Sequence, residues 1–332
     1  MIRKMWLVVA TVALAACACL FAGCSSASSN ASSSSTSQGG SSSQEIVIGT
    51  LATEDILPMW VAENEGLFEE AGVDARVEVF QSATELIAAV TSGDVQMAMT
   101  DPMVTASIYA SGTDVQIEWV TLGTTADQGR FGIMTADDSI TSLADLAGKP
   151  IGVGSNTILE YVMDTLMERA GVPSDQVVKE ELQKLPVRYQ AVASGQVVAA
   201  ALPASLLALG EANGMRVVAD DTTGDNISQS VMIVRGSLAG TSEGKAAIEK
   251  LEGVWDKAVA EINANPEGYR ALLAEKASLS EAIASTYRVS TYPTVQLPTQ
   301  KQVDDVLTWM KGKGYLAESI AYDAATGTFS GR

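Results

Sequence analysis

The chain has 332 residues, 47% of them hydrophobic, and a formal charge of −19, enough length for one large or two ordinary domains with a sizeable core. It contains no histidine, and its three cysteines are Cys17, Cys19 and Cys24. Beyond Cys24 this inventory excludes Ser-His-Asp and Cys-His catalysis, disulfides, and metal sites built on His or Cys, and the negative charge, whose plain role is solubility, opposes nucleic acid as a partner.

In chain order, Arg3 and Lys4 give a basic start, Met5 to Phe21 is apolar, and the small residues Ala22 and Gly23 follow. This is the order of a secretory signal, too short and poorly flanked for a permanent membrane span. Phe21-Ala22-Gly23-Cys24 resembles a bacterial lipobox, in which the cysteine becomes the lipidated first residue. Leu14-Ala15-Ala16-Cys17 fits by letter too, but leaves an apolar tail behind it, whereas Cys24 meets polar linker at once. Twelve serines stand among residues 25–44, a stretch that cannot bury enough apolar area to offset its ordering entropy and so reads as a flexible tether.

The remainder carries an internal repeat. Leu67-Phe-Glu-Glu-Ala-Gly-Val73 recurs as Leu166-Met-Glu-Arg-Ala-Gly-Val172, and Ser92-Gly-Asp-Val-Gln-Met-Ala-Met99 as Ser194-Gly-Gln-Val-Val-Ala-Ala-Ala201. Ile46-Val-Ile-Gly-Thr50 has a looser echo in Ile151-Gly-Val-Gly-Ser155. Each unit reads as alternating strands and helices. The first has strands Ile46–Thr50, Ala75–Phe80 and Val95–Thr100, with helices starting near Leu57, Ala83 and Pro102. Val115–Leu122 and Phe131–Thr135 should finish it and lead toward the second unit, whose strands are Pro150–Gly154, Val177–Leu182 and Val197–Leu202. A helix from Thr157 places Ile158, Leu159, Val162, Met163, Leu166 and Met167 on one face and stops at Gly171. Ser230–Arg235 reads as a strand returning to the first unit. From Thr241 the chain is mostly helical, with a capping box at Thr299-x-x-Gln302. Such alternation implies an α/β fold of mostly parallel sheets flanked by helices. The expected organisation is a signal segment at 1–23, a tether at 24–44, a first lobe from 45–137 plus 230–332, and an inserted second lobe at 138–229.

Parallel sheets place ligands outside the carboxyl ends of their strands. On that rule the candidate binding residues are Thr53, Glu54, Asp55, Gln81, Ser82, Thr100 and Asp101 in the first unit, and Ser155, Asn156 and Thr157 in the second. Each has a plainer role beside the functional one. Ser82-x-x-Glu85 and Thr157-x-x-Glu160 are capping boxes, and Asp101 before Pro102 is an N-cap. Helix N-termini favour an anionic group, while Glu54, Asp55, Asp101 and Glu160 favour an amine or hydrogen-bonding heterocycle; a zwitterion or amino-heterocycle satisfies both. Gly152-x-Gly154 is a poor dinucleotide motif, because Thr157 stands at its third glycine position. No cofactor, metal or catalytic residue is expected.

Pro58-Met-Trp-Val-Ala-Glu-Asn-Glu-Gly-Leu-Phe68 resembles the P-x-W/Y-V-A-x-x-x-G-L-F signature of ABC-transporter substrate-binding proteins for nitrate, sulfonates, taurine and thiamine-pyrimidine precursors. Ser142-Leu-Ala-Asp-Leu-Ala-Gly-Lys149 is similar to a segment before that family's second lobe, and Ser194-Gly-Gln-Val197 and Leu297-Pro-Thr299 fit as well. The resemblance implies a two-lobed periplasmic-binding-protein fold of type II that closes on a small molecule. It further implies an ABC permease and ATPase as partners, and with the signal segment and lipobox the expectation is a monomer outside the cytoplasm, anchored to the bacterial membrane through Cys24. By position it carries the contacts over to Thr53, Glu54, Asp55, Gln81, Ser82, Thr100, Asp101, Ser155, Asn156 and Thr157. Two alternatives stand beside it: an enzyme of the same fold related to thiamine-pyrimidine synthesis, a branch that depends on histidine, and a ligand sensor without transport.

Overall fold

The computed structural model describes residues 45–332; the signal segment, Cys24 and the serine tether lie outside the described residues. Twelve strands form two sheets: β1 Ile46–Leu51, β2 Ala75–Phe80, β3 Met97–Thr100, β4 Val115–Leu122, β5 Phe131–Thr135, β6 Pro150–Val153, β7 Val178–Glu181, β8 Ala199–Pro203, β9 Arg216–Asp220, β10 Ser230–Arg235, β11 Ala321–Asp323 and β12 Thr328–Ser330. The seven-stranded sheet has the order β11-β12-β4-β10-β3-β1-β2 and the five-stranded sheet β7-β6-β8-β5-β9.

The internal repeat is realised in the pairing. β1 lies parallel between β2 and β3, and β6 lies parallel between β7 and β8. In the first sheet every strand runs one way except β10 and β12; in the second only β5 is reversed. The central strands β1, β3 and β8 are buried almost throughout, as strands covered by helices on both faces must be.

Two expectations need correction. Phe131–Thr135 does not finish the first unit: it pairs antiparallel with β8 and β9 in the five-stranded sheet. All five of its residues are buried, so it needs neighbours on both edges, and only the second sheet offers them. The expected strands from Val95 and Val197 begin two residues late, because Val95 and Val197 still donate their N–H to Ala89 and Ala191, closing the preceding helices. Val115–Leu122 and Ser230–Arg235 both join the seven-stranded sheet, where β10 pairs antiparallel with β3 and β4.

Helices cover the sheets as the apolar spacing requires. Ile158–Arg169 buries Ile158, Leu159, Val162, Met163, Leu166 and Met167. Gln300–Gly312 opens on the Thr299/Gln302 capping box and buries Val303, Val306, Leu307 and Met310. Under the first sheet, Trp60, Trp119 and Trp255 are fully buried, with Trp119 and Trp255 ring centroids 5.7 Å apart. Among the described residues no helix is long and apolar enough to cross a membrane.

Candidate functional site

The loops after β1, β2, β3, β6, β7 and β8 meet around a cavity of about 70 Å³. β5 and β10 run against their neighbours, so their first residues, Phe131 and Ser230, arrive at the same end and complete the wall. Most of the lining is apolar, including Leu51, Leu86, Met99 and Leu185. Eight polar or charged residues stand among the nine apolar ones, a mixture that suits a polar small molecule.

Asp101 and Asp55 supply the acidic side. Asp101 caps the helix Pro102–Ala110, its Oδ1 accepting from Met103 and Val104 N–H at 2.9 Å each. Burial pushes its pKa up to about 6. The N–H groups of Val104, Met103 and Ile158 pull the value back, and the charge of Asp55 adds to the rise. Ile158 opens a helix of the other sheet's unit, so groups from both halves act on this carboxyl. Asp55, 5% exposed, accepts from Ser230 Oγ at 2.5 Å.

Arg188 supplies the basic side. It sits at the fourth position of the helix Leu185–Ala193 and is 1% exposed. Its guanidinium donates to three backbone carbonyls: Leu182 at 2.8 Å, Ala201 at 3.0 Å and Gln183 at 3.3 Å. It forms no ion pair among the described residues, and burial lowers its pKa to about 10. The glycine pair that invites a dinucleotide reading makes room for this side chain. A Cβ at Gly154 would lie 2.6 Å from Arg188 Nη2 and 2.9 Å from Gln183 Oε1, and one at Gly152 would meet Arg188 Cγ at 3.4 Å.

The candidates divide. Thr53, Asp55, Thr100, Asp101 and Thr157 line this cavity together. Thr157 forms no capping box: its Oγ1 donates to Gly154 O at 2.7 Å, and Glu160 reaches back to Asn156 N–H at 2.6 Å while also holding Lys179. Gln81, Ser82, Ser155 and Asn156 do not line it. Gln81 is exposed, with its N–H on Glu85 Oε2 at 3.1 Å, and Ser82 accepts from Glu85 N–H at 3.3 Å. Ser155 donates to Glu181 through N–H and hydroxyl. Asn156 adopts a left-handed φ of 55° and its Nδ2 donates to Ser107 Oγ at 2.8 Å, tying the β6 loop to the helix after β3. Glu54 faces a different cavity, of about 430 Å³. Its carboxyl is raised to about 7 by burial and by Asp55, with Tyr287 opposing.

Sequence reasoning missed Arg188, Gln183 and Ser230. The signal was available: Gln183-Lys184-Leu185-Pro186 follows β7 as Gln81-Ser82 follows β2, so the strand-end rule applied to the second repeat reaches Gln183 directly. Among the described residues no three His, Cys, Asp or Glu side chains cluster as a metal site.

Several solved structures are similar to the chain. The alkanesulfonate-binding protein SsuA from Xanthomonas axonopodis pv. citri, bound to MOPS, superposes with a TM-score of 0.71 at 16% identity, covering 82% of this chain and 94% of that one. The periplasmic aliphatic sulphonate binding protein SsuA from Escherichia coli gives 0.69 at 16% identity, covering 83% and 94%. The Candida albicans CA3427 gene product, described as having the generic periplasmic binding protein structural fold, gives 0.65 at 14% identity, covering 83% and 92%. At such identities the likeness shows the fold, a periplasmic-binding-protein fold. No curated protein matches the chain by sequence. The NMT1/THI5-like family model matches residues 53–268, and the chain belongs to that family.

Proposed function

We propose that the chain is a lipid-anchored solute-binding protein that captures a small polar organic molecule and delivers it to an ABC importer. One observation carries the reading: strand ends of both sheets converge on one buried cavity, with carboxylates on one wall and an ion-unpaired guanidinium on the other. A solute with N–H donors at one end and an acceptor or anionic group at the other satisfies both. The donors meet Asp55 and Asp101, and the acceptor meets Arg188, with Thr53, Thr100, Thr157 and Ser230 completing the hydrogen bonds. The sulfonate-binding names of two fold neighbours make a sulfonate one anionic end to test.

In this reading the two sheets belong to two lobes, residues 45–122 with 230–332 and residues 131–220, joined by the crossings 123–130 and 221–229. The present cavity of about 70 Å³ is well below the few hundred Å³ of an ordinary small-molecule site, so solute entry requires the lobes to part and then close. Groups across the cleft would hold the closed form: Asn156 on Ser107, and Lys184 on Glu85 at 2.9 Å. Gln81, Ser82 and Ser155 then serve by shaping the loops.

Lipidation at Cys24, with the serine tether spacing the lobes from the membrane, would keep the protein beside its permease; stable anchoring needs two acyl chains or more. An enzyme of the same fold fits less well, because the chain holds no histidine to serve as a base near neutral pH. The test is mass spectrometry of the mature N-terminus together with affinity capture from detergent-solubilised membranes. A diacylated or triacylated Cys24 and co-purifying permease and ATPase support the reading. An unmodified chain refutes the anchor, one starting at Cys17 refutes Cys24 as the lipidated residue, and capture of a receptor in place of a permease supports the sensor instead.

A further inference from the structure

The cavity of about 430 Å³ is separated from the solute cleft by single residues of three segments. Asp55, Phe131 and Pro203 face the cleft, and their neighbours Glu54, Arg130 and Ala204 face this second space. Its volume is that of a site for a small organic molecule. Of the side chains lining it, Glu54 alone has a buried oxygen without a hydrogen-bond partner among the described residues.

Glu54 is 4% exposed and rigidly held. Tyr287 OH donates to Oε1 at 2.9 Å, and Tyr292 OH donates to the backbone carbonyl at 2.7 Å. Oε2 is left free. A buried carboxyl oxygen without a donor is costly, and such groups mark sites where something else supplies the donor.

The other charged groups around the cavity do not supply it. Arg130 is committed to Glu211 and Asp220, at 2.9 Å each. Arg288 is exposed, and its charge acts on Asp127 across the mouth. Asp55, next in sequence, adds negative charge beside Glu54. Asp127, Glu211 and Asp220 together outweigh Arg130 and Arg288, and a Glu54 carboxylate adds to the excess. The field therefore favours a cation with N–H donors.

We propose that this cavity is a second small-molecule site, distinct from the solute cleft, that takes an alkylammonium head on Glu54 Oε2. The inference does not depend on what the cleft binds. Burial raises the Glu54 carboxyl to titrate at about 7, so a bound ammonium draws out the carboxylate form and any proton the carboxyl still carries leaves to the buffer. The positive charge of the ligand replaces that of the proton, and the site stays neutral.

The probe is n-butylammonium, with butyramide as its uncharged counterpart, titrated calorimetrically into the whole protein in two buffers of different ionisation enthalpy. A carboxyl titrating near pH 7 predicts release of about half a proton per bound amine at pH 7, and affinity rising about tenfold from pH 6 to pH 8. Glu54→Gln keeps an acceptor for Tyr287 but should abolish the proton release and lower amine affinity at least about tenfold. Ala212→Phe fills the cavity from an exposed position and should block the amine even if Glu54→Gln folds poorly. Absence of saturable amine binding, equal binding of butyramide, or unchanged binding in Ala212→Phe overturns the inference. Loss of amine binding in Asp101→Asn but not in Glu54→Gln also overturns it, by moving the amine into the cleft.

Discussion

The two repeats place corresponding residues against the same cavity and give them opposite characters. Leu86 is the fourth residue of the helix after β2, and Arg188 the fourth residue of the helix after β7. Both approach a glycine, Gly49 within β1 and Gly154 just after β6: a Cβ at Gly49 would lie 2.5 Å from Leu86 Cδ1, as one at Gly154 would lie 2.6 Å from Arg188 Nη2. The residue capping the helix after the third strand differs in the same way, Asp101 in the first repeat and Pro203 in the second. One scaffold, used twice, thus presents acids from one half and a base from the other. Backbone geometry fixes which positions meet the ligand space, and the side chains there are free to diverge because the ladder does not depend on them.

Making the halves alike is the strongest way to break this arrangement. Arg188→Leu leaves the carbonyls of Leu182, Gln183 and Ala201 without their donor. We expect a loss of about 2–5 kcal/mol in urea unfolding. Leu86→Arg should also destabilise, because it puts a guanidinium into an apolar core cluster at a position that is 2% exposed.

A pH titration sharpens the acidic side. Asp101 is raised from 3.8 to about 6, so between those values the folded state keeps a proton that the unfolded chain has released, and stability falls as pH rises through that window. Asp101→Asn preserves an N-cap and removes this cost. It should therefore be more stable than the wild type at pH 8, by up to about 3 kcal/mol, with no such gain at pH 4. Equal unfolding free energies for the two proteins at pH 8 would show that burial does not raise the Asp101 carboxyl.

Gly154→Ala tests the space made for the guanidinium. Overpacking against Arg188 and Gln183 should cost about 1–3 kcal/mol and weaken solute binding, whereas Gly195→Ala, where a Cβ meets nothing within 4 Å, should cost only the strain of a positive φ and leave binding unchanged. The smallest effect is expected at Asn156. Asn156→Gly gives up the bond to Ser107, about 0.5–1.5 kcal/mol, but relaxes a left-handed φ. Net stability should move by less than about 1 kcal/mol, and a solute should dissociate faster because the cross-cleft tie is gone.

Much of this architecture was legible in the sequence for a physical reason. The repeat preserved the helix ends at Gly72 and Gly171 and the turns at Gly93 and Gly195, all at positive φ, so the strand and helix boundaries could be read twice. Phe131–Thr135 was misplaced because a strand buried on both faces carries no alternation to say which sheet receives it. In the site, the strand-end rule reached Thr53, Asp55, Thr100, Asp101 and Thr157 but could not separate them from Gln81, whose backbone N–H goes to Glu85, and Ser155, whose N–H and hydroxyl go to Glu181. Arg188 escaped because it lies one helical turn beyond the strand end, where charge usually signals a solvated face; the glycines that make it a buried residue stand more than thirty positions earlier in the chain.

The central claim is that a small solute binds between Asp55/Asp101 and Arg188 at the meeting of the strand ends. The most direct measurement is a thermal-shift screen of sulfonates, nitrate, amino acids and pyrimidines against the wild type, Asp101→Asn and Gln81→Ala. A true ligand at a hundredfold its dissociation constant should add about 2.7 kcal/mol of stability. The account predicts that this gain is retained in Gln81→Ala and lost in Asp101→Asn; a gain that survives in Asp101→Asn, or vanishes equally in Gln81→Ala, contradicts it.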